Sequence, residues 1–113
     1  MADTSSDHRR LSQRDYNQLW EFWQEVEAKL HTNGHKPHWL ACPVEELWEG
    51  LTNEVAELMH DIDRYLIAGR AGAKPEYREE KLEQAAGEAL DVAAYAFFIW
   101  DKARQLKEEQ EKG

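Results

Sequence analysis

The chain has 113 residues, which is enough for one domain with a single core. Its net charge of −9 and sequence pI near 5.0 disfavour general nucleic-acid binding, because a phosphate backbone is bound by basic surface. The single cysteine, Cys42, excludes an internal disulfide and fits a reducing compartment. The chain shows neither a signal-peptide pattern nor an apolar run of bilayer-spanning length. We therefore predict a soluble, cytoplasmic protein with no membrane partner.

The N-terminal part of the chain is predicted to be a mobile arm followed by a helix. Residues 1–10 are small or charged and show no apolar period, so we assign them to the arm and residues 11–113 to a single all-α domain. Ser12 followed by Asp15 resembles a helix capping box, with aspartate in place of the usual glutamate. Apolar residues then recur at steps of three and four, which predicts an amphipathic helix over about residues 12–31. These residues are Tyr16, Leu19, Trp20, Trp23, Val26 and Leu30.

A polar connection and two further helices complete the predicted fold. The histidines of the connection, which contains Pro37, match no well-attested zinc spacing, so we predict a solvated loop there. Pro43 suits the first position of a second helix, over about residues 43–68, and Gly69, Gly72 and Pro75 are predicted to end that helix and form a turn. A third helix is predicted over about residues 76–109. Because no stretch alternates with period two, we predict an all-α bundle of these three main helices.

The third helix contains a stretch, Glu88 to Trp100, that is apolar on nearly every side. Asp91 is the only formal charge between Glu88 and Asp101. A helix of this kind is normally buried all round, which a chain of this length does not easily achieve with two other helices. We therefore expect self-association, as a homodimer or a homotetramer, to complete the bundle.

Four carboxylates on the second and third helices form two matching pairs. Glu54 and Glu57 are three residues apart, as are Glu88 and Asp91, so each pair shares one helix face. Burying an ionised carboxylate is costly unless a cation or hydrogen-bond donors compensate it. Packing of the two helices through their apolar stripes would bring both pairs to one pocket. Four oxygen donors favour Mg²⁺, with Mn²⁺ as the alternative, over zinc.

The same residues carry a family resemblance. Glu54-Val-Ala-Glu57-Leu58 followed by Glu88-Ala-Leu-Asp91-Val92-Ala-Ala-Tyr95 resembles the ExxE…ExxD signature of the all-α nucleoside triphosphate pyrophosphohydrolases, the MazG-like and dimeric dUTPase superfamily. In that family the signature carboxylates bind Mg²⁺, which holds the triphosphate while water cleaves it to a monophosphate and pyrophosphate. The resemblance implies a Mg²⁺-dependent hydrolase acting on a (deoxy)nucleoside triphosphate.

Further residues receive roles from this interpretation. Glu54 and Asp61 are the two candidates for the general base that accepts a proton from the attacking water. In the resembled family the nucleobase lies against the first helices, where an aromatic ring can stack on it. The predicted substrate-binding residues are aromatic side chains and lysines that bind phosphate: Trp20, Trp39, Tyr95, Lys81 and Lys102.

A different class of function is also consistent with the residues. The chain would then be a non-catalytic helical interaction or assembly module, including a degenerate relative of the family. Its carboxylates would be surface charges or would bridge to lysines across an oligomer interface. A divalent cation distinguishes the two hypotheses, because a ligand that binds only the folded state raises the melting temperature.

Overall fold

The computed structural model describes residues 10–32 and 41–112. They form three α-helices, α1 (Gln13–Thr32), α2 (Val44–Arg70) and α3 (Pro75–Lys112), and this part of the chain contains no β-strand. The predicted all-α fold with three main helices is therefore confirmed. Apart from Arg10, the predicted N-terminal arm lies outside the described residues. None of the helices described has the length and apolar character needed to cross a membrane.

The start of α1 is fixed by the predicted capping box. The amide of Asp15 donates to Oγ of Ser12 (3.1 Å), and the amide of Ser12 donates to Oδ2 of Asp15 (3.3 Å). The pair thus satisfies two backbone N–H groups at the start of the helix. α2 begins differently, because Pro43 is extended (φ −62°, ψ 150°) and is the N-cap, where we had predicted the first helical position.

The C-terminus of α2 lies at Arg70, two residues beyond the predicted end, and the turn lies at Gly72, one of the three residues predicted to form it. Gly72 has a φ of 69°, in the left-handed region that favours glycine. Its amide donates to the carbonyl of Gly69 (3.4 Å), and the amide of Ala73 donates to that of Ala68 (2.9 Å). This is the hydrogen-bond pattern of a Schellman motif, which reverses the chain into α3 within residues 71–74.

α2 and α3 form an antiparallel helical hairpin. The direction follows from two close approaches, in which Gly50 lies against the Tyr95 ring and Gly69 lies against the Arg78 guanidinium. Residue numbers rise along α2 while those of the contacting residues fall along α3. The Arg78 guanidinium also lies 4.8 Å from the centre of the Tyr65 ring on α2. The hairpin therefore sets which residues of the two helices face each other.

α1 packs on α3, less extensively than α2 does. Trp23 of α1 meets Phe97 of α3 edge to face, with ring centroids 6.5 Å apart. The buried hydrophobic side chains of the described residues come from all three helices: Val26, Leu47, Ala68, Ala85, Ala94 and Phe98. They are mostly small, so this core is modest for three helices of such length.

The apolar stretch of α3 is only partly enclosed within the single chain. Ala94 and Phe98 are buried, but Ala96 is exposed and Trp100 is 56% exposed. Within residues 10–32 and 41–112, the helices that pack on α3 are α1 and α2. The radius of gyration, 18.3 Å, also exceeds the value of about 13 Å for a compact domain of this length. One chain therefore leaves apolar surface uncovered.

Substitution of Gly50 by alanine is expected to destabilise the hairpin. The added methyl group would overlap the Tyr95 ring, which also packs edge to face on Phe98 at 5.6 Å. Overpacking costs about 1–3 kcal/mol, more than the gain of up to about 1 kcal/mol from replacing a helical glycine by alanine. Urea denaturation followed by circular dichroism measures the net change in the free energy of unfolding.

Gly87→Ala is the matched control for this substitution. Gly87 also lies within a helix, but no atom lies within 4 Å of the position that its Cβ would take. Only the helix-propensity gain remains there, so this variant should be at least as stable as the wild type. Equal stabilisation by both substitutions would contradict the close packing of Tyr95 on Gly50.

Candidate metal centre

Three glutamates from the two hairpin helices converge on one point. Glu54 and Glu57 lie one turn apart on α2, and Glu88 faces them from α3. One carboxylate oxygen from each residue lies within 4.8 Å of the other two. Two oxygens bound to a single Mg²⁺ at about 2.1 Å are at most about 4.2 Å apart. Small side-chain adjustments therefore suffice for the three residues, which we call the glutamate cluster, to share one cation.

Two oxygens of the glutamate cluster lack hydrogen-bond donors. Glu54 and Glu88 are half-buried, Glu57 is exposed, and the Oε2 atoms of Glu54 and Glu88 are shielded from solvent without a donor. Buried acceptors usually find a donor, because an unpaired one forfeits the solvation it had in water. The orphaned oxygens are thus suited to an added cation or proton.

The electrostatics of the cluster raise the pKa values of its half-buried members. The pKa of Glu88 is raised to about 8. Burial is the largest cause, and hydrogen bonding to Glu54 and Glu57 and repulsion from their charges contribute the rest. Burial is also the main cause that raises the pKa of Glu54; its hydrogen bond with Glu88 opposes this change, whereas the charges of Glu57 and Asp91 reinforce it. In the absence of a cation, a proton held by Glu88 reduces the repulsion at neutral pH.

Asp91 has a different partner from the other three predicted metal ligands. It follows Glu88 by one turn of α3, but its Oδ1 lies 3.3 Å from Nζ of Lys29 on α1. The two side chains are partly exposed, 37% for Lys29 and 25% for Asp91. α1 therefore contributes a cation to a site whose carboxylates come from α2 and α3.

Glu57, Glu88 and Asp91, but not Glu54, line a cleft of about 630 Å³, which is within the range of small-molecule binding sites. Its lining includes Asp61, the second candidate for the general base. The lining residues come from all three helices: Lys29, Ala56, Glu57, His60, Asp61, Gln84, Gly87, Glu88 and Asp91. Four of the nine lining residues are acidic and one, Lys29, is basic, so acidic groups outnumber basic ones in the cleft.

The predicted lysines lie outside the lining of the cleft. The Lys81 ammonium lies 5.3 Å from the centre of the Tyr77 ring and donates to Oε1 of Gln84 at 3.1 Å. Lys102 lines a second cavity, of about 350 Å³, between the first turn of α2 and the C-terminal part of α3. Lys102 shares a face of α3 with Asp91. Because it follows Asp91 by eleven residues, however, it lies about 16 Å further along the helix axis.

Two of the three predicted aromatic residues, Tyr95 and Trp20, also lie outside the cleft lining. Tyr95 packs against Gly50 and Phe98 in the hairpin. Trp20 is 63% exposed and forms an apolar surface depression with Tyr16, Leu19 and Trp23 on α1. Trp39 lies outside the described residues. Roles for these residues in binding the nucleobase stay predictions.

Sequence analysis did not select three polar residues of the cleft, Lys29, His60 and Gln84. Helical spacing offered a signal for two of them. Lys29 is one turn after Val26, which is buried, and His60 is one turn after Glu57. Lys29 therefore shares a helix face with a core residue, and His60 shares a helix face with a predicted metal ligand.

Comparison with protein-family models, with curated proteins and with solved structures found no match. The family resemblance therefore rests on the ExxE and ExxD motifs of the chain. The geometry of their carboxylates stands independently of that resemblance.

Without a bound cation, stability is expected to fall as the pH rises from about 5 to 8. The native Glu88 carboxyl keeps its proton until about pH 8, whereas the unfolded one loses it near 4.5. The native state thus binds more protons than the unfolded state in this window. The resulting contribution to the free energy of unfolding is complete below pH 4.5 and is lost as the pH rises past 8. Glu88→Gln should flatten this part of the profile and be more stable than the wild type at pH 8.

Urea denaturation between pH 5 and 8, in the presence of a chelator, measures this dependence. Glu83→Gln is the control, because it removes one negative charge from an exposed position of the same helix. Its pH profile should follow that of the wild type. Parallel profiles for the wild type and Glu88→Gln would contradict the raised pKa of Glu88.

Proposed function

We propose that the protein is a Mg²⁺-dependent nucleoside triphosphate pyrophosphohydrolase, which converts a (deoxy)nucleoside triphosphate to the monophosphate and pyrophosphate. The observation that supports this proposal best is the glutamate cluster. Its oxygens come from two helices, lie within 4.8 Å of one another and include two without hydrogen-bond donors. The oxygen donor set, with no sulfur, suits Mg²⁺ or Mn²⁺.

The proposal assigns the cation to the two carboxylate pairs. Glu54, Glu57 and Glu88 would hold it, and Asp91 would join them by exchanging its contact with Lys29 for one with the cation. Bound Mg²⁺ would supply charge neutralisation and orientation of the phosphates, which a cleft with four acidic residues and one lysine does not offer by itself. Proton release from Glu88 accompanies this binding, because the cation competes with the proton for the same oxygens.

The proposal assigns the acid–base chemistry to one side chain of the glutamate cluster and one of the cleft lining. Hydrolysis of a phosphoric anhydride needs a group that accepts a proton as water attacks phosphorus. Glu54 and Asp61 are the candidates, Glu54 as a half-buried member of the glutamate cluster and Asp61 as part of the cleft wall. Little covalent help is needed beyond this proton transfer and the positioning of the phosphates.

We also propose that the active form is a homodimer or a homotetramer. The support is the apolar surface that one chain leaves uncovered, including Trp20 and Trp100, together with the extended radius of gyration of 18.3 Å. Monomers seldom expose continuous aromatic patches such as the depression formed by Tyr16, Leu19, Trp20 and Trp23. A second chain packed on this surface would complete the bundle.

Divalent cations are expected to stabilise the protein through the glutamate cluster. Millimolar Mg²⁺ or Mn²⁺ should raise the melting temperature of the wild type, because the cation binds only the folded state. Removing any one of the four charges should reduce this rise in melting temperature and should slow the release of pyrophosphate by about 100-fold or more. The variants are Glu54→Gln, Glu57→Gln, Glu88→Gln and Asp91→Asn. Glu83→Gln serves again as the control that keeps both. A screen of nucleoside triphosphates for pyrophosphate release provides the second measurement.

Self-association is tested by light scattering at micromolar concentration. The wild type should give the mass of a dimer or a tetramer. Trp20→Glu should shift the mass towards the monomer, because it places a charge in the apolar depression of α1. Gln18→Glu adds the same charge to an exposed polar position of α1 and should leave the mass unchanged. A stable wild-type monomer contradicts the proposal.

The non-catalytic assembly module remains the second candidate function. The exposed aromatic residues of α1 favour it, since they provide a binding surface whether or not the cleft is active. Under this hypothesis neither cation changes the melting temperature, and no nucleoside triphosphate is hydrolysed. The stability and hydrolysis measurements above therefore separate the two.

A further inference from the structure

Lys29 is the one side chain with a permanent positive charge among the described residues that line the cleft. It belongs to α1, while the carboxylates around it belong to α2 and α3. Its Nζ lies 3.3 Å from Oδ1 of Asp91, and its side chain remains 37% exposed. The ammonium group is thus held at the site by one contact and is still accessible to a ligand.

The charge balance of the cleft gives this lysine a role beyond its contact with Asp91. A lysine ammonium has three donors, and the contact with Oδ1 of Asp91 uses one of them. A polyphosphate brings about four negative charges to a cleft that already contains several carboxylates. A single divalent cation cannot offset all of them, so a second positive group near the phosphates is required.

We propose that Lys29 is the phosphate-binding residue of this cleft, which positions a polyphosphate beside the cation held by the carboxylates. This inference rests on the proposed function and adds to it the residue that grips the phosphates. The ion pair with Asp91 keeps the ammonium at the site before the ligand arrives. When Asp91 turns to the cation, Lys29 is released from that contact and is free to bind phosphate oxygens.

The position of Lys29 makes it better suited to this role than the lysines selected from sequence. The Lys81 ammonium contacts Tyr77 and Gln84, and Lys102 lines the second cavity. Lys29 alone among these three borders the same cleft as Glu57, Glu88 and Asp91. The phosphate-binding charge therefore comes from the first helix.

The test compares cation binding with anion binding in Lys29→Met. Isothermal titration calorimetry measures the affinity for Mg²⁺ alone, and then the affinity for inorganic tripolyphosphate at saturating Mg²⁺. The affinity for tripolyphosphate should fall by about tenfold or more, since a charge-assisted contact is lost. The affinity for Mg²⁺ should stay the same or increase, because Asp91 no longer has a competing partner. Tripolyphosphate binding is thus weakened while Mg²⁺ binding is not, which a merely structural role of Lys29 does not produce.

Two further variants accompany this comparison. Lys29→Arg retains the positive charge and should keep tripolyphosphate affinity within a few-fold of the wild type. Lys107→Met removes an exposed lysine near the C-terminus of α3, about 24 Å along the helix from Asp91, and should change neither affinity. If Lys29→Met does not fold, as judged by circular dichroism, Lys29→Gln replaces it with a polar side chain.

Three results would overturn the inference. Unchanged tripolyphosphate affinity in Lys29→Met, with Mg²⁺ still bound, removes the phosphate role of Lys29 and leaves the proposed function intact. Equal weakening of Mg²⁺ and tripolyphosphate binding means that Lys29 only docks α1 on the hairpin. A wild-type protein that binds no Mg²⁺ defeats the proposed function, and the role of Lys29 with it.

Discussion

Repulsion between carboxylates is the constraint that determines the state of the candidate site. Packing of α2 on α3 holds three glutamates with oxygens within 4.8 Å of one another. Two unit charges at that distance repel by about 3.5 kcal/mol at an effective dielectric constant of about 20. A domain is stable by only about 5–15 kcal/mol, so three ionised glutamates would consume much of that margin. A proton on Glu88 or a shared cation would relieve the repulsion, and the proposed metal site would therefore respond to both pH and divalent cations.

The three helices have different functions in this account. The α2–α3 hairpin, with Tyr95 packed on Gly50, sets the register that brings Glu54 and Glu57 opposite Glu88. α1 adds Lys29 to the cleft and carries most of the exposed aromatic surface. A partner that covers this surface would also hold α1 against α3. The proposed self-association and the proposed phosphate-binding role of Lys29 would therefore be linked through α1.

Local sequence signals predicted the helices and the approach of the glutamates. The Ser12–Asp15 cap and the apolar periodicity are short-range features, and the two carboxylate pairs border apolar stripes that have to pack together. The partner of Asp91 was not predicted, because it depends on how α1 docks on α3. The position of Lys102 was not predicted for the same reason. Periodicity indicates on which face of α3 Lys102 lies, but it does not show that the first turn of α2 lies beside it. Packing of Tyr95 on Gly50 requires the hairpin register, which sequence periodicity does not contain.

The most direct test of this account is a crystal structure of the protein grown with Mn²⁺ and measured at a wavelength that gives anomalous scattering from manganese. The account predicts an anomalous peak bounded by carboxylate oxygens of Glu54, Glu57 and Glu88, with Asp91 turned from Lys29 towards the ion. Ordered glutamate side chains without such a peak at millimolar Mn²⁺, or a peak only at other carboxylates of the surface, would contradict it.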